Sequence, residues 1–146
     1  MNERVKSLIA WWGRNQSSVS VDDPFIKFFL CYVCFDAWTT SESGKDSFNE
    51  KLDWLQASYL KDRWKNIKTH INGPIADLKK LSYIKDMLSG KEYTLDKVEN
   101  FDQMIHTLHR IRCNLFHGSK HPENARDKNF VENGVKILEK LVAELN

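Results

Sequence analysis

Arg110-Ile111-Arg112-Cys113-Asn114-Leu115-Phe116-His117-Gly118 is the stretch of this chain best equipped for chemistry. Arg112 and His117 lie five positions apart, with a helix-ending glycine directly behind the histidine. A fixed cation and a group that titrates near neutrality suit phosphate chemistry. Arginine grips phosphate oxygens through a planar fork of donors, and histidine moves protons at physiological pH. The simpler reading is a helix end that favours a basic residue through its dipole.

These residues need a helix to hold them, and the pattern around them supplies one. Read at 100° per residue, Phe101, Met104, Ile105, Leu108, Ile111 and Leu115 gather on one face. His106, Arg110, Cys113 and His117 line the opposite face. Histidine and arginine facing an apolar stripe are unusual on a solvated surface, where Lys and Glu prevail. This spacing predicts that the stripe meets a ligand, a partner helix or a second copy of the chain. Arg112 lies roughly 140° from His117 on a straight helix, so the two do not converge there. They can meet if Gly118 turns the chain, or if two copies face each other across a two-fold axis.

The rest of the chain reads as nearly all helix, with three prolines and six glycines falling where helices should begin or end. Asn2 to Arg14 is a short helix. Asp22 or Asp23 caps a second, with Pro24 in its first turn. That helix runs from Phe25 to about Thr39 and is apolar nearly all round, which marks it as the central element. Ser41 to Asp46 reads as a polar loop. Ser47 and Glu50 form a capping box opening a long helix to about Lys68. Asn72-Gly73-Pro74 is a break. Ile75 to Leu88 forms the next helix, closed by Ser89-Gly90. Thr94 or Asp96 starts the motif helix, which runs to Phe116. Asn124 and Asp127 open a last helix carrying Phe130, Val131, Val135, Leu138, Leu141 and Leu145. No segment shows a period-2 strand. The expected fold is all-α, an antiparallel bundle of five or six helices forming one domain over residues 1–146.

Composition narrows the function classes. The 146 residues are 41% hydrophobic and 29% charged, as in a soluble globular domain. Net charge is +2, from 22 basic and 20 acidic residues, so any anion site must be local. No apolar run approaches the roughly 18 residues a membrane span needs. Met1 to Ala10 carries Glu3, Arg4 and Lys6 and does not read as a signal peptide. Three cysteines without such a signal suit a reducing cytoplasm. Cys31-x-x-Cys34 offers zinc-ligand types. Its place inside an apolar helix favours core packing instead.

The Arg112-to-His117 segment resembles the R-x4-H motif of HEPN domains. The surroundings are similar too: an apolar-faced helix before the motif, Gly118 after it, a short polar loop, then Ala125-Arg126-Asp127 opening a final amphipathic helix. The resemblance covers roughly Asp96 to Leu145. It implies a helical bundle that dimerises and brings two motifs into one composite cleft. It also implies a metal-independent endoribonuclease without a cofactor, acting on RNA, such as a toxin with a nucleotidyltransferase-like antitoxin partner or an anti-phage nuclease. On that scheme Arg112 and His117 are the catalytic pair, with Asn114, Arg110, His106 and Cys113 in support. The alternative within the family is a silent bundle that binds a nucleotide, RNA or a partner protein. One position departs from the family: a polar residue commonly follows the arginine, whereas here Cys113 does and the asparagine comes one place later.

Overall fold

The structure, a computed structural model, describes residues 2–15, 23–116 and 124–145. Among them the chain forms seven helices and one small hairpin: α1 (Glu3–Asn15), α2 (Pro24–Ser43), α3 (Phe48–Gln56), α4 (Tyr59–Lys68), α5 (Asn72–Lys80), β1 (Tyr83–Lys85), β2 (Glu92–Thr94), α6 (Phe101–Phe116) and α7 (Ala125–Ala143). The fold is all-α in class, with more and shorter helices than the sequence predicts.

α2 is the axis of the bundle. The Asp23 carboxylate accepts from the Phe25 N–H at 2.9 Å, and Pro24 sits in the first turn, where its missing donor costs nothing. The helix continues to Ser43, past the Thr39 end expected, because Gly44 takes a left-handed cap at φ 67° and its N–H closes on the Thr40 carbonyl. α7 packs along α2, with α5 against α7, α1 against α2, and α3 and α6 also on α2. The closest approach is at Gly134, where an added Cβ would stand 2.7 Å from a carbon of the Phe28 ring. Phe28, Phe35, Trp38, Leu108, Ile111, Phe130 and Leu138 belong to one continuous core.

Three expectations are corrected. The long helix from Ser47 divides at Ala57–Ser58: Ser47 caps α3 as expected, but the Ser58 hydroxyl turns back to the Leu55 carbonyl at 2.7 Å. A serine that satisfies local backbone in this way competes with helix continuation. The break expected at Asn72-Gly73-Pro74 falls just before it, at residues 69–71, and those three residues form the first turn of α5, a position proline tolerates.

The third correction is the hairpin. The predicted helix from Ile75 to Leu88 stops at Lys80, and Ser82 reverses the chain at φ 69°. Tyr83, Ile84 and Lys85 then pair antiparallel with Thr94, Tyr93 and Glu92. Ser89-Gly90, expected to end a helix, makes the hairpin turn instead, with Gly90 at φ 75° donating to the Asp86 carbonyl. Ile84 is buried as the helical phase required, whereas Leu88 is 71% exposed at the tip. The motif helix starts at Phe101 rather than Thr94 or Asp96, because residues 95–100 form turns, held by the Trp64 indole N–H donating to the Glu99 carbonyl at 2.8 Å.

Candidate functional site at the end of helix six

The apolar face of α6 lies in the core, with Phe101, Met104, Ile105, Leu108 and Ile111 at most 2% exposed. The opposite stripe is not open. Among its described residues, His106 meets α3 and Arg110 meets the hairpin, and both stay half-buried. Phe48, the first residue of α3, lies flat on the His109 ring, with centroids 3.7 Å apart and planes 6° from parallel. The same ring meets His106 edge-on at 5.2 Å. On the other side the Arg110 guanidinium sits 3.4 Å from the centre of the Tyr93 ring on β2. Two short elements thus cover what the helical wheel left exposed, and neither is visible from α6 alone.

His109 is the hub beneath Arg112. Its Nδ1 lies 3.4 Å from the Tyr32 hydroxyl of α2, and its Nε2 lies 3.5 Å from the Cys113 sulfur. Burial, with the Arg112 charge second, pushes its pKa down to about 4. The ring is therefore neutral at pH 7. A neutral ring can serve both neighbours: in the tautomer with the proton on Nε2, the Tyr32 hydroxyl donates to Nδ1 and Nε2–H faces sulfur. Burial likewise raises the Tyr32 phenol, which stays protonated.

Arg112 stands over this hub, half-buried, between two depressions. One, of about 140 Å³, is polar: Arg112, His109, Asp36, Asp46 and Lys51 line it with Tyr32 and Phe48. Lys51 is paired with Asp36 at 3.1 Å. The other, of about 170 Å³, is mostly apolar, with Phe29, Val33, Ala37 and Leu115 beside Arg112. Ile26, Phe29 and Val33 are 48%, 42% and 39% exposed and share one face of α2. An apolar stripe therefore runs along α2 to the edge of Arg112.

The expected site residues do not all gather here. His117 lies outside the described residues. Cys113 is half-buried against His109, with its sulfur 3.9 Å from an Arg112 nitrogen. Asn114 is 1% exposed and turned away from the depressions. Its amide donates to the Lys85 carbonyl at 2.9 Å and accepts from the Met87 N–H at 3.2 Å, tying the hairpin to α6. His106 and Arg110 fasten α6 to α3 and to β2. Tyr32, Asp36, Lys51 and Phe48 were not expected at the site. The one clue in sequence was that His109 and Cys113 are four apart and share a face.

Among the described residues no three of His, Cys, Asp and Glu converge as a metal would require. Cys31 and Cys34 are buried in α2, their thiols pushed up by desolvation, Cys34 to about 11. No described helix is long and apolar enough to cross a membrane. Compared with protein-family models, curated proteins and solved structures, the chain matches none.

Proposed function

We propose that this chain is a metal-independent endoribonuclease of HEPN type, acting as a homodimer with Arg112 and His117 as its catalytic pair. The observation that carries the reading is the placement of Arg112. It rises from the last turn of α6, between a polar and an apolar depression, at the edge of the apolar stripe on α2. A second copy docked on Ile26, Phe29 and Val33 would bring the two Arg112 side chains toward one cleft. That arrangement answers the helical geometry, in which Arg112 and His117 diverge by roughly 140° on one straight helix.

In the reaction the RNA 2′-oxygen attacks the adjacent phosphorus and the bond to the 5′-oxygen breaks. The products are a 2′,3′-cyclic phosphate and a 5′-hydroxyl. His117 takes the proton from the 2′-hydroxyl or supplies one to the leaving oxygen. Arg112 stabilises charge on the non-bridging oxygens. His109, neutral and stacked on Phe48, holds the floor beneath Arg112 without adding a competing charge. Arg110 and His106 support α6 through Tyr93 and Phe48. Asn114 acts through the hairpin, not on phosphate.

This chemistry suits a cytoplasmic toxin or anti-phage nuclease, restrained in a toxin–antitoxin pair by a nucleotidyltransferase-like partner. A second reading, a silent bundle of the same type that binds nucleotide, RNA or protein, draws on Asn114. With that amide engaged by backbone, no asparagine of the motif is left to orient phosphate.

The test is end-group analysis of an RNA oligonucleotide incubated with the protein in EDTA. The expected products carry cyclic phosphate and 5′-hydroxyl ends, and DNA of the same sequence stays intact. No cleavage of varied RNAs, with tight binding retained, would instead support the silent reading.

A further inference from the structure

A second surface carries chemistry that the Arg112 site does not use. A groove of about 650 Å³ runs between the start of α2, the α4–α5 junction and the C-terminal half of α7. Lys27, Lys136 and Lys140 line it with His70 and a single carboxylate, Glu139. None of its residues lines either depression at Arg112.

The three lysines form no ion pair with any described residue; Lys45, Lys85, Lys91 and Lys97 are unpaired too, but only these three share one groove. Three ammonium groups against Glu139 give the groove the same net charge as the entire chain, +2. The groove is therefore a locally basic surface on a nearly neutral protein. Lys136 and Lys140 are one turn apart on α7, about 6 Å along one face. Lys27 faces them from α2, and Ile71 and Pro74 form an apolar wall. This is a row of point charges along an open channel. It lacks the planar fork and enclosed pocket that would select one phosphate.

We propose that this groove is a track for the backbone of single-stranded RNA, a docking surface separate from the Arg112 cleft. The proposal rests on the ribonuclease reading for the identity of its ligand, and it adds where the strand lies away from the scissile bond. In a dimer there are two such grooves, one on each protomer. Contacts here are to phosphate, so they hold the strand without reading its sequence.

The test uses full-length protein made cleavage-dead by Arg112→Ala, with fluorescently labelled RNA and anisotropy measured across a salt series in EDTA. Lys27→Gln, Lys136→Gln and Lys140→Gln are combined in one variant. Lys45→Gln, Lys91→Gln and Lys97→Gln form a control with the same loss of charge, and circular dichroism checks that both fold. The groove variant is expected to bind about tenfold more weakly or worse. Its salt slope should fall by about 2, the loss of three phosphate contacts on a single strand. The control should bind like the parent. Unchanged affinity and slope in the groove variant overturns the proposal, as does an equal loss in the control, which would mean diffuse attraction. So does loss of binding to polyglutamate with RNA binding intact, which would assign the groove to an acidic protein partner. The two readings fail separately: groove-dependent binding without cleavage by the native chain sinks the nuclease alone, and cleavage with a groove-independent slope sinks the track alone.

Discussion

The His109 imidazole lies flat on the Phe48 ring, 3.7 Å between centroids, and both line the polar depression beside Arg112. One aromatic side chain at the first position of α3 therefore fixes the floor of the candidate site. It joins α3 to α6 at the level where the motif begins, and Tyr32 and Cys113 complete the clasp.

Removing the stack should loosen both fold and site. Phe48→Ala is expected to destabilise the protein by about 2 kcal/mol, a partly buried aromatic removed along with its ring contact. Urea denaturation measures this. A change under about 0.5 kcal/mol would show that the stack is incidental.

The clasp also predicts an acid limb. The folded pKa of His109 is pushed down to about 4, against roughly 6.5 for a free histidine. As pH falls through that window the unfolded chain takes up a proton that the folded chain refuses, so stability drops with acid and is full above the window. His106 is shifted in the same direction by burial and by Arg110, and adds to it. Melting temperature should fall between pH 6.5 and 4, and His109→Phe, which keeps a ring on Phe48 but cannot titrate, should flatten the fall. An identical slope in that variant would remove His109 from the account.

Asn114 should behave as a structural residue. Its replacement by Ala leaves the Met87 N–H and Lys85 carbonyl unpaired, at a cost of about 2 kcal/mol. Hydrogen exchange at Met87 should accelerate. An Asn114→Ala protein with full stability and a slow Met87 amide would contradict this placement.

Gly134→Ala tests the core. The new methyl would meet the Phe28 ring, which is 1% exposed and has little room to yield. Overpacking of this kind costs about 1–3 kcal/mol and outweighs the helix-propensity gain of about 1 kcal/mol. A melting temperature that rises on substitution would show that the α2–α7 contact can relax.

The sequence carried the α2 cap to Asp22 or Asp23, the α3 cap at Ser47, the α7 cap at Asn124 and the buried face of α6, because each is written in a few adjacent residues. The hairpin was hidden: three-residue strands are too short for a period of two to appear, and Ile84 fits a helical phase and a strand equally well. The division at Ser58 turns on one hydroxyl. At the candidate site, the spacing to His117 singles out Arg112. Phe48, Tyr32 and Asp36 were not, since they lie 60 or more positions upstream and only the fold brings them there. That part of the α6 stripe meets α3 and the hairpin was hidden for the same reason.

The proposed dimer is checked at α2. Phe29→Glu with Val33→Glu should leave a folded monomer by light scattering and abolish RNA cleavage, with helical content unchanged. Cleavage by such a monomer at the native rate would refute a site shared between two copies.

The proposed catalytic pair stands or falls on the rate of RNA cleavage in EDTA by the native chain beside Arg112→Ala and His117→Ala. Metal-independent cleavage is expected, falling by about 10²–10³ without the arginine's charge and by at least about 10² without the histidine's proton transfer. Cleavage that persists at the native rate in either variant would contradict it.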